Sequence, residues 1–181
     1  TPVYEIPEGT RVAKGRGLLN FLEMSAEDKV LSLFSIGKED VAAGTKYLVM
    51  VTKQGIMKKT EIEDFKNVRK SGLIAISLKK GDALMAVRKT TGQDEIIIVT
   101  KKGQSIRFRE KDVRPMGRTA AGIHAVRLKK GDEVVGMDVI QNPKSEARNP
   151  KQEGQYVLVV TENGYGKRTD VKEYRLQSRG G

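Results

Sequence analysis

The feature that most constrains the fold is an internal repeat with a period close to 50 residues. Residues 47–87 recur as residues 96–137, at an offset of 48 residues early in the copy and 50 late in it. A third copy begins at Tyr156, and residues 17–33 read like the second half of a copy. Repeats of this length do not bury an apolar face alone. The sequence therefore predicts a stack or ring of similar units.

Each copy opens on a continuous apolar run of strand length that is rich in Val and Ile. These runs occupy residues 47–52, 96–100 and 156–161. Runs of this kind are typical of strands buried on both faces. A turn that contains glycine follows each run, and the third turn, Asn163-Gly164, is a strong hairpin signal. The sequence thus predicts three hairpins whose first strand is buried.

Beyond the hairpin, each full copy continues through a polar connection. In the first copy this connection has room for one helical turn, at residues 61–66. Two further short strands then flank the turn Lys-Lys-Gly-Asp. These strands are predicted at residues 73–78, 83–87, 123–128 and 133–139. Four strands in about 50 residues fit a propeller blade better than a sandwich. The predicted fold class is all-β, a propeller-like array of four-stranded blades.

The blades are predicted to form a single domain. Its repeats are residues 9–46 (partial), 47–91, 96–140 and 156–181 (partial). Before the first full copy we predict a strand at 30–34 and a loop at 37–44. Residues 142–154 hold two prolines and are predicted to be an exposed insertion. Because both ends fall inside repeats, we expect the terminal half-units to pair with each other or with a neighbouring molecule.

Positive charge is concentrated in the repeat. The chain has 34 Lys and Arg residues against 23 Asp and Glu residues, a formal net charge of +11. Residues 1–46 sum to −1, whereas residues 47–91 sum to +6 and residues 96–140 to +5. A basic repeat, unlike a basic tail, favours a rigid surface that offers charge at regular intervals to a polyanion.

Basic residues at matching repeat positions are the candidate phosphate-binding residues. The fourth residue after each hairpin glycine is basic, being Lys59, Arg107 or Arg168. Neighbouring and loop residues complete the set: Lys14, Arg16, Lys58, Arg69, Lys70, Arg118, Lys167, Arg175, Arg179, Gly180 and Gly181. Solubility does not require one sign at one repeat position, so we expect these basic side chains on the solvent face. In the two Gly/basic segments, a plain turn and a phosphate close to backbone N–H groups are equally compatible with the sequence.

The sequence contains no recognisable catalytic constellation. With no Cys and only His124, it excludes a disulfide framework and disfavours a zinc site. The turn Lys-Lys-Gly-Asp lacks the spacing of a Walker motif and is predicted to be a plain turn. No apolar run reaches 18 residues, so we expect a soluble, non-exported chain. A nucleic-acid binding module is the first hypothesis and a propeller that binds acidic proteins the second; an enzyme has no residue support.

Several stretches resemble a single family. They include KGRGLLNFL, YLVMVTKQGIMKKT, KGDALMAV, VRPMGRTAAG and ENGYGKRT, of which NGYGKRT and VRPMGRTAAG are the most specific. In order and over nearly the whole length, the chain is similar to the C-terminal domain of the DNA gyrase A subunit. The family's signature box is approached by residues 177–181, Gln-Ser-Arg-Gly-Gly, in which Ser178 departs from the usual Arg. The paralogous A subunit of topoisomerase IV therefore stays open.

The resemblance implies a β-pinwheel, a six-bladed propeller variant whose blades exchange strands and whose basic outer rim wraps duplex DNA. Wrapping in that family sets a right-handed crossing that supports negative supercoiling. The implied partners are duplex DNA, the remainder of the gyrase A subunit and, through it, the B subunit in an A2B2 holoenzyme of the bacterial cytoplasm and nucleoid. We expect no catalytic residue, metal or cofactor in this chain. The ATP and Mg used by the parent topoisomerase, an isomerase, would act through other domains.

Overall fold

The computed structural model describes residues 6–17, 20, 29–67, 72–141 and 154–180. In these ranges the strands are β1 (Tyr47–Thr52), β2 (Ile56–Glu61), β3 (Leu84–Thr90), β4 (Glu95–Thr100), β5 (Ser105–Arg109), β6 (Ile123–His124), β7 (Val134–Ile140), β8 (Tyr156–Val160) and β9 (Gly166–Asp170). They are joined by the short helix α1 (Lys38–Ala42) and by 3-10 turns at Ile62–Phe65, Glu110–Asp112 and Val171–Glu173. The all-β prediction is confirmed.

The described strands form three antiparallel sheets. The first has the order β3-β1-β2-β6, the second β5-β4-β7, and the third contains β8 and β9. Strand β6 belongs to the second repeat by sequence, but it pairs with β2 of the first, with Met57 opposite Ile123. Neighbouring blades therefore exchange a strand, as the resemblance implies.

Two kinds of glycine position allow this packing. The hairpin glycines Gly55, Gly103 and Gly164 have φ angles of 77°, 74° and 81°, a region that favours glycine, and the three hairpins form as predicted. At Gly122 the constraint is a close approach, because an added Cβ would lie 2.5 Å from the carbonyl oxygen of Met57. Glycine there lets the second repeat pack its backbone against β2.

One apolar core joins the first two sheets. Val49, Val51 and Met57 of the first sheet pack in the same cluster as Ile98 and Phe108 of the second, and all are at most 1% exposed. Full burial of a side chain of this size contributes about 1.5–3 kcal/mol. The first two blades are therefore held as a unit by a shared core.

The third sheet differs from the first two. Tyr156, Leu158 and Val160 of β8 are 50%, 68% and 62% exposed, so the prediction of a buried third strand is wrong. Among the described residues, no strand lies beside β8 in the place that β3 takes beside β1 and β7 takes beside β4. An apolar run indicates a strand suited to burial, whereas burial itself requires neighbours.

Several other predicted elements differ from the structure. Residues 30–34 form no strand, and helix α1 lies inside the predicted loop at 37–44. Residues 73–78 are not a strand, and the strand predicted at 123–128 is reduced to β6, so a fourth strand reaches the first sheet only by exchange. The helical turn predicted near residue 62 is the 3-10 turn Ile62–Phe65. Apart from Gly154, the predicted insertion lies outside the described residues.

Candidate nucleic-acid interface

The matching basic residues after the hairpin turns are called the junction cations: Lys59, Arg107 and Arg168. Lys59 and Arg107 lie at edges where two described blades meet, whereas Arg168 is exposed on the third sheet. Lys59 is 4% exposed. Its Nζ lies 3.6 Å from Glu110 Oε1 and donates a hydrogen bond of 3.2 Å to the carbonyl oxygen of Glu110. The ring of Tyr47 lies 4.9 Å from the same Nζ. Lys59 thus joins the first blade to the 3-10 turn of the second.

Arg107 makes the corresponding contact between the second and third blades. Its Nη1 donates to the carbonyl oxygens of Val171 and Tyr174 at 2.7 and 3.0 Å. Its Nε donates to Glu95 Oε2 at 2.7 Å, and Glu95 holds the place in β4 that Tyr47 holds in β1. A guanidinium that donates to carbonyl oxygens at the start of a 3-10 turn and just after it makes strong, charge-assisted hydrogen bonds.

Lys58 is also internal, with 0% exposure. Its Nζ donates to the carbonyl oxygen of Ala75 at 2.6 Å and to that of Arg118 in the following repeat. Burial lowers the pKa of Lys58, while the charge of Asp64 acts in the opposite direction. The amine is committed to backbone carbonyls within the fold.

The prediction that these basic side chains face solvent is therefore wrong for Lys58 and Lys59, and Arg107 is only partly exposed. The physical reason is that both faces of β2 are covered. The face that carries Lys59 packs against the second repeat, the face that carries Lys58 packs against its own repeat, and β6 lies along the outer edge. A cation there satisfies carbonyl oxygens that would otherwise lose water without a partner. Lys59 and Arg107 are both positively charged because each binds a carbonyl oxygen of the following blade.

The remaining predicted residues fall into three groups. Lys14 and Arg16 are exposed in a segment without regular structure, and Lys167, Arg168 and Arg175 are exposed on the third repeat. Arg118, Arg179 and Gly180 are partly buried, and Arg179 and Gly180 bind the carbonyl oxygens of His124 and Ala125. Arg69, Lys70 and Gly181 lie outside the described residues. Sequence reasoning grouped these residues as one basic face, and the structure brings only some of them together.

A second set of lysines is exposed where two turns lie side by side at one end of each full blade. The hairpin turn and the Lys-Lys-Gly-Asp turn are joined by hydrogen bonds, with Lys53 N donating to Ala83 O at 2.8 Å and Lys101 N donating to Glu133 O at 2.8 Å. All seven lysines of these turns are exposed, and we call them the paired-turn surface: Lys53, Lys79, Lys80, Lys101, Lys102, Lys129 and Lys130.

The paired turns of the two blades are continuous with each other. Val134 N donates to Lys53 O at 2.9 Å, and the carboxylate of Glu133 lies 3.8 Å from Lys53 Nζ and 3.4 Å from Lys101 Nζ. The other nearby carboxylates, Asp82 and Asp132, accept hydrogen bonds from turn backbone N–H groups. The carboxylates order the turns and keep their charge, so seven lysines against three carboxylates leave this surface a net charge of +4.

Asp132 also gives the paired turns a pH dependence. Burial acts to raise its pKa, but hydrogen bonds from Thr100 and from the N–H groups of Lys102 and Glu133 outweigh it and lower the pKa below the ordinary value. An acid whose pKa is depressed by folding stabilises the fold above its unfolded pKa and loses that contribution as pH falls through the folded pKa. The turns therefore keep this contribution at every pH above the ordinary pKa of an aspartate and lose it only in stronger acid.

A second exposed basic row lies at the opposite end of the strands. Each 3-10 turn is followed within two residues by an exposed basic residue. These residues are Lys66, Arg114 and Arg175. Because β2 runs from the hairpin turn to the 3-10 turn over six residues, the two ends are separated by roughly 20 Å. The molecule therefore offers phosphates two distinct basic rows.

Sequence reasoning missed the paired-turn surface because it interpreted Lys-Lys-Gly-Asp only as a turn. That interpretation is correct, since Gly81 and Gly131 have φ angles of 80° and 69°. The available signal was the repetition itself: lysine pairs recur at residues 79–80 and 129–130, in turns that project from the sheet. Turn side chains reach solvent more reliably than strand side chains do.

We expect Arg107→Ala to loosen the third sheet without unfolding the first two. The variant loses charged hydrogen bonds to the third blade, each of which contributes about 1.5–3 kcal/mol. Amide exchange in β8 and β9 should accelerate roughly tenfold to a hundredfold, while exchange in β4 changes little. Arg109→Ala, an exposed position in the same strand, is the matched control. Equal protection of β8 in Arg107→Ala and wild type would contradict this assignment.

Antiparallel sheets that repeat along the chain, share a core and exchange a strand define a propeller-like class of blade proteins. Comparison with known proteins narrows the class. The family described as DNA gyrase C-terminal domain, beta-propeller, matches residues 1–36, 46–91, 94–141 and 155–181. The chain belongs to this DNA gyrase C-terminal domain family.

Individual relatives agree with this assignment. The DNA gyrase A subunit of Staphylococcus epidermidis is 44% identical over 178 residues, which are 98% of this chain and 19% of that protein. The corresponding protein of Staphylococcus aureus is 42% identical over the same length. The chain thus spans about a fifth of the curated relatives it matches.

Solved structures show the same fold. The C-terminal domain of DNA topoisomerase IV superposes with a TM-score of 0.78 at 27% identity, covering 92% of this chain and 48% of the other. A DNA gyrase A C-terminal domain superposes with a TM-score of 0.69 at 25% identity, covering 93% and 51%.

Proposed function

We propose that this chain binds duplex DNA without sequence preference and bends it around its basic surface, as the wrapping module of the gyrase A protein. The observation that carries the proposal is the paired-turn surface, on which seven exposed lysines face three carboxylates that are hydrogen-bonded or shared. Repeated point charges on a rigid scaffold suit the phosphate backbone, whose contacts fix position and carry no sequence information.

The physical signature of such binding is counterion release. If all seven lysines contact phosphates, log affinity should fall with log salt with a slope of roughly −6. The chain has no Trp, and aromatic residues make up only 5% of it, which gives little stacking surface for single strands. Duplex DNA is therefore the preferred nucleic acid.

The test is fluorescence anisotropy with two duplexes of unrelated sequence across a salt series. We expect the two affinities to agree within about threefold and to show the same steep salt slope. To test bending, the same duplexes are closed into small circles by ligase, and the chain should increase the yield of circles. A protein-binding propeller would instead bind acidic polypeptides as tightly as DNA, so polyglutamate competition separates the two functions.

Membership of this family also suggests the complex in which the chain acts. We propose that the chain acts as part of the gyrase A protein, beside the gyrase B protein in a bacterial A2B2 holoenzyme at the nucleoid, where wrapping supports negative supercoiling. The ATP and Mg of that reaction would bind other domains. Within the described residues, no three His, Cys, Asp or Glu side chains are grouped to hold a metal ion, and no helix there is long and apolar enough to cross a membrane.

A further inference from the structure

We propose, on the basis of the DNA binding proposed above, that Asp82 and Asp132 are positioning residues for the duplex. Each joins the two lysine-bearing turns of its blade through one carboxylate oxygen, and we call them the bridging aspartates. Their hydrogen-bonding oxygen promotes DNA binding, although their charge opposes it. Glu133, the third carboxylate of the paired-turn surface, affects binding only through its charge.

Asp82 joins the two turns of the first blade. Its Oδ1 accepts a hydrogen bond of 3.0 Å from Gln54 N in the hairpin turn and one of 2.8 Å from Ala83 N in the adjoining turn. The Gln54 side chain makes a second connection, since its Nε2 donates to the carbonyl oxygen of Gly81 at 3.3 Å. The lysine of the hairpin turn is therefore held at a fixed place relative to the two lysines of the adjoining turn.

Asp132 makes the same bridge in the second blade. Its Oδ1 accepts hydrogen bonds from Lys102 N at 3.0 Å and from Glu133 N at 2.9 Å. The Lys102 side chain also reaches the adjoining turn, where its Nζ donates to the carbonyl oxygen of Lys130 at 2.8 Å. Thr100 Oγ1 donates to the second carboxylate oxygen of Asp132 at 2.7 Å. One arrangement is thus built twice, from matching repeat positions.

The bridges set the arrangement of exposed turns rather than the fold. In each blade one backbone hydrogen bond of 2.8 Å joins the turns independently of the aspartate: Lys53 N to Ala83 O, and Lys101 N to Glu133 O. Without the aspartate, its N–H partners in these exposed turns are left to water and the turns sample more arrangements. Groups that are ordered before association lose less conformational entropy on binding. Bridged turns should therefore bind phosphates more tightly than unbridged turns with the same lysines.

Glu133 is adjacent to Asp132 and has the same charge, but its contacts differ. Its carboxylate lies 3.8 Å from Lys53 Nζ and 3.4 Å from Lys101 Nζ, and among the described residues no backbone N–H donates to it. Ion pairs between exposed side chains contribute little to stability. The Glu133 carboxylate therefore does no more than compete with a phosphate for two lysines.

Alanine and asparagine variants separate the oxygen from the charge. The double variants Asp82→Ala, Asp132→Ala and Asp82→Asn, Asp132→Asn each raise the formal net charge from +11 to +13, because each removes two negative charges. Asparagine keeps a side-chain oxygen that accepts from a backbone N–H, and alanine has none. In fluorescence anisotropy with the two unrelated duplexes, we expect the alanine variant to bind about fivefold more weakly than the asparagine variant. The salt slope should be the same in both, because all seven lysines remain.

Glu133 provides the matched control. Glu133→Ala and Glu133→Gln both remove one negative charge, so each should bind the duplexes about threefold more tightly than wild type, and to the same extent. A difference between these two variants as large as that between the alanine and asparagine variants of the bridging aspartates would overturn the proposal, since truncation at either kind of position would then have one effect.

Amide exchange without DNA measures the ordering itself. We expect the N–H groups of Gln54 and Lys102 to exchange about tenfold faster in the double alanine variant than in the double asparagine variant, while β4 stays protected in both. If β4 also loses protection, the single variants Asp82→Ala and Asp82→Asn give the same comparison with one bridge intact. Equal DNA affinities of the alanine and asparagine variants, or equal exchange at Gln54 and Lys102, would overturn the proposal and leave the DNA-binding function standing. A wild-type chain that binds neither duplex would instead reject the DNA-binding function, and this role of the aspartates with it.

Discussion

Lys59→Met should destabilise the fold by about 3–5 kcal/mol, the largest loss that we expect from a single substitution, because it leaves the Glu110 carboxylate buried without its cation. Glu110 is 0% exposed and accepts hydrogen bonds from Thr90 Oγ1 at 2.7 Å and from Gly92 N at 3.0 Å. These contacts hold the carboxylate in place, so it has no route to water. Urea unfolding at neutral pH measures the loss.

The second variant isolates the pair. The double variant Lys59→Met, Glu110→Gln removes the charge of both partners. We expect it to be more stable than Lys59→Met alone, with a coupling energy between the two positions of about 1–3 kcal/mol. Lys129→Met, a fully comparable substitution at an exposed turn position, should change stability by less than about 0.5 kcal/mol. A Lys59→Met protein as stable as this control would show that the ion pair contributes nothing to the junction.

The loss of stability in Lys59→Met should depend on pH, and the direction follows from the pKa of Glu110. Burial raises the pKa of Glu110, although the hydrogen bond from Thr90 and the charge of Lys59 oppose the rise. An acid whose pKa is raised by folding binds protons more readily in the folded state, so its contribution favours folding at low pH and falls as pH rises through the folded pKa. Removing Lys59 raises that pKa further. The difference in free energy of unfolding between wild type and Lys59→Met should therefore be smaller in acid than at neutral pH.

The elements that the sequence predicts well are those fixed by local chemistry. The hairpin at Gly55 follows from an apolar strand and a residue that accepts positive φ, and both are visible within about ten residues. The helical turn for which the sequence has room at residues 61–66 is present as the 3-10 turn Ile62–Phe65. By contrast, β6 is two residues long and takes its partner from the previous repeat, so no local pattern marks it.

Lys58 and Lys59 show why the predicted site was only partly right. They are adjacent in β2, so their side chains point to opposite faces, and both faces of that strand are covered. The matching sign at Arg107 signalled a shared role, but two roles produce such a pattern: a repeated solvent charge and a repeated blade contact. Only the position of Glu110 and of the Val171 carbonyl distinguishes them, and that is a property of packing between blades.

Arg168 is the informative exception, because it shares the junction position and is exposed. The sequence alone gives Lys59, Arg107 and Arg168 one environment, whereas the structure gives them two. What differs is the presence of a following 3-10 turn in the described chain. A matching repeat position therefore has a different burial according to whether a following repeat packs against it.

Neutralising four paired-turn lysines should produce the largest change in DNA binding. In a variant with Gln at positions 79, 80, 129 and 130, the slope of log affinity against log salt should become less steep by roughly 3.6 units, since each lost phosphate contact removes about 0.9. The loss should be equal for duplexes of unrelated sequence, because these contacts read phosphates. These side chains are exposed, so the unfolding midpoint in urea should stay within error of wild type.

The matched control removes the same charge from the other end of the strands. Its four positions, all exposed, are Lys111, Arg114, Lys172 and Arg175. They lie roughly 20 Å from the paired turns along the strands, beyond the screening length of about 8 Å at physiological salt, so they alter the potential at the paired turns only weakly. If the control variant loses the slope and the paired-turn variant keeps it, the duplex lies along the 3-10 end of the blades and Arg175 is the better guide to its path.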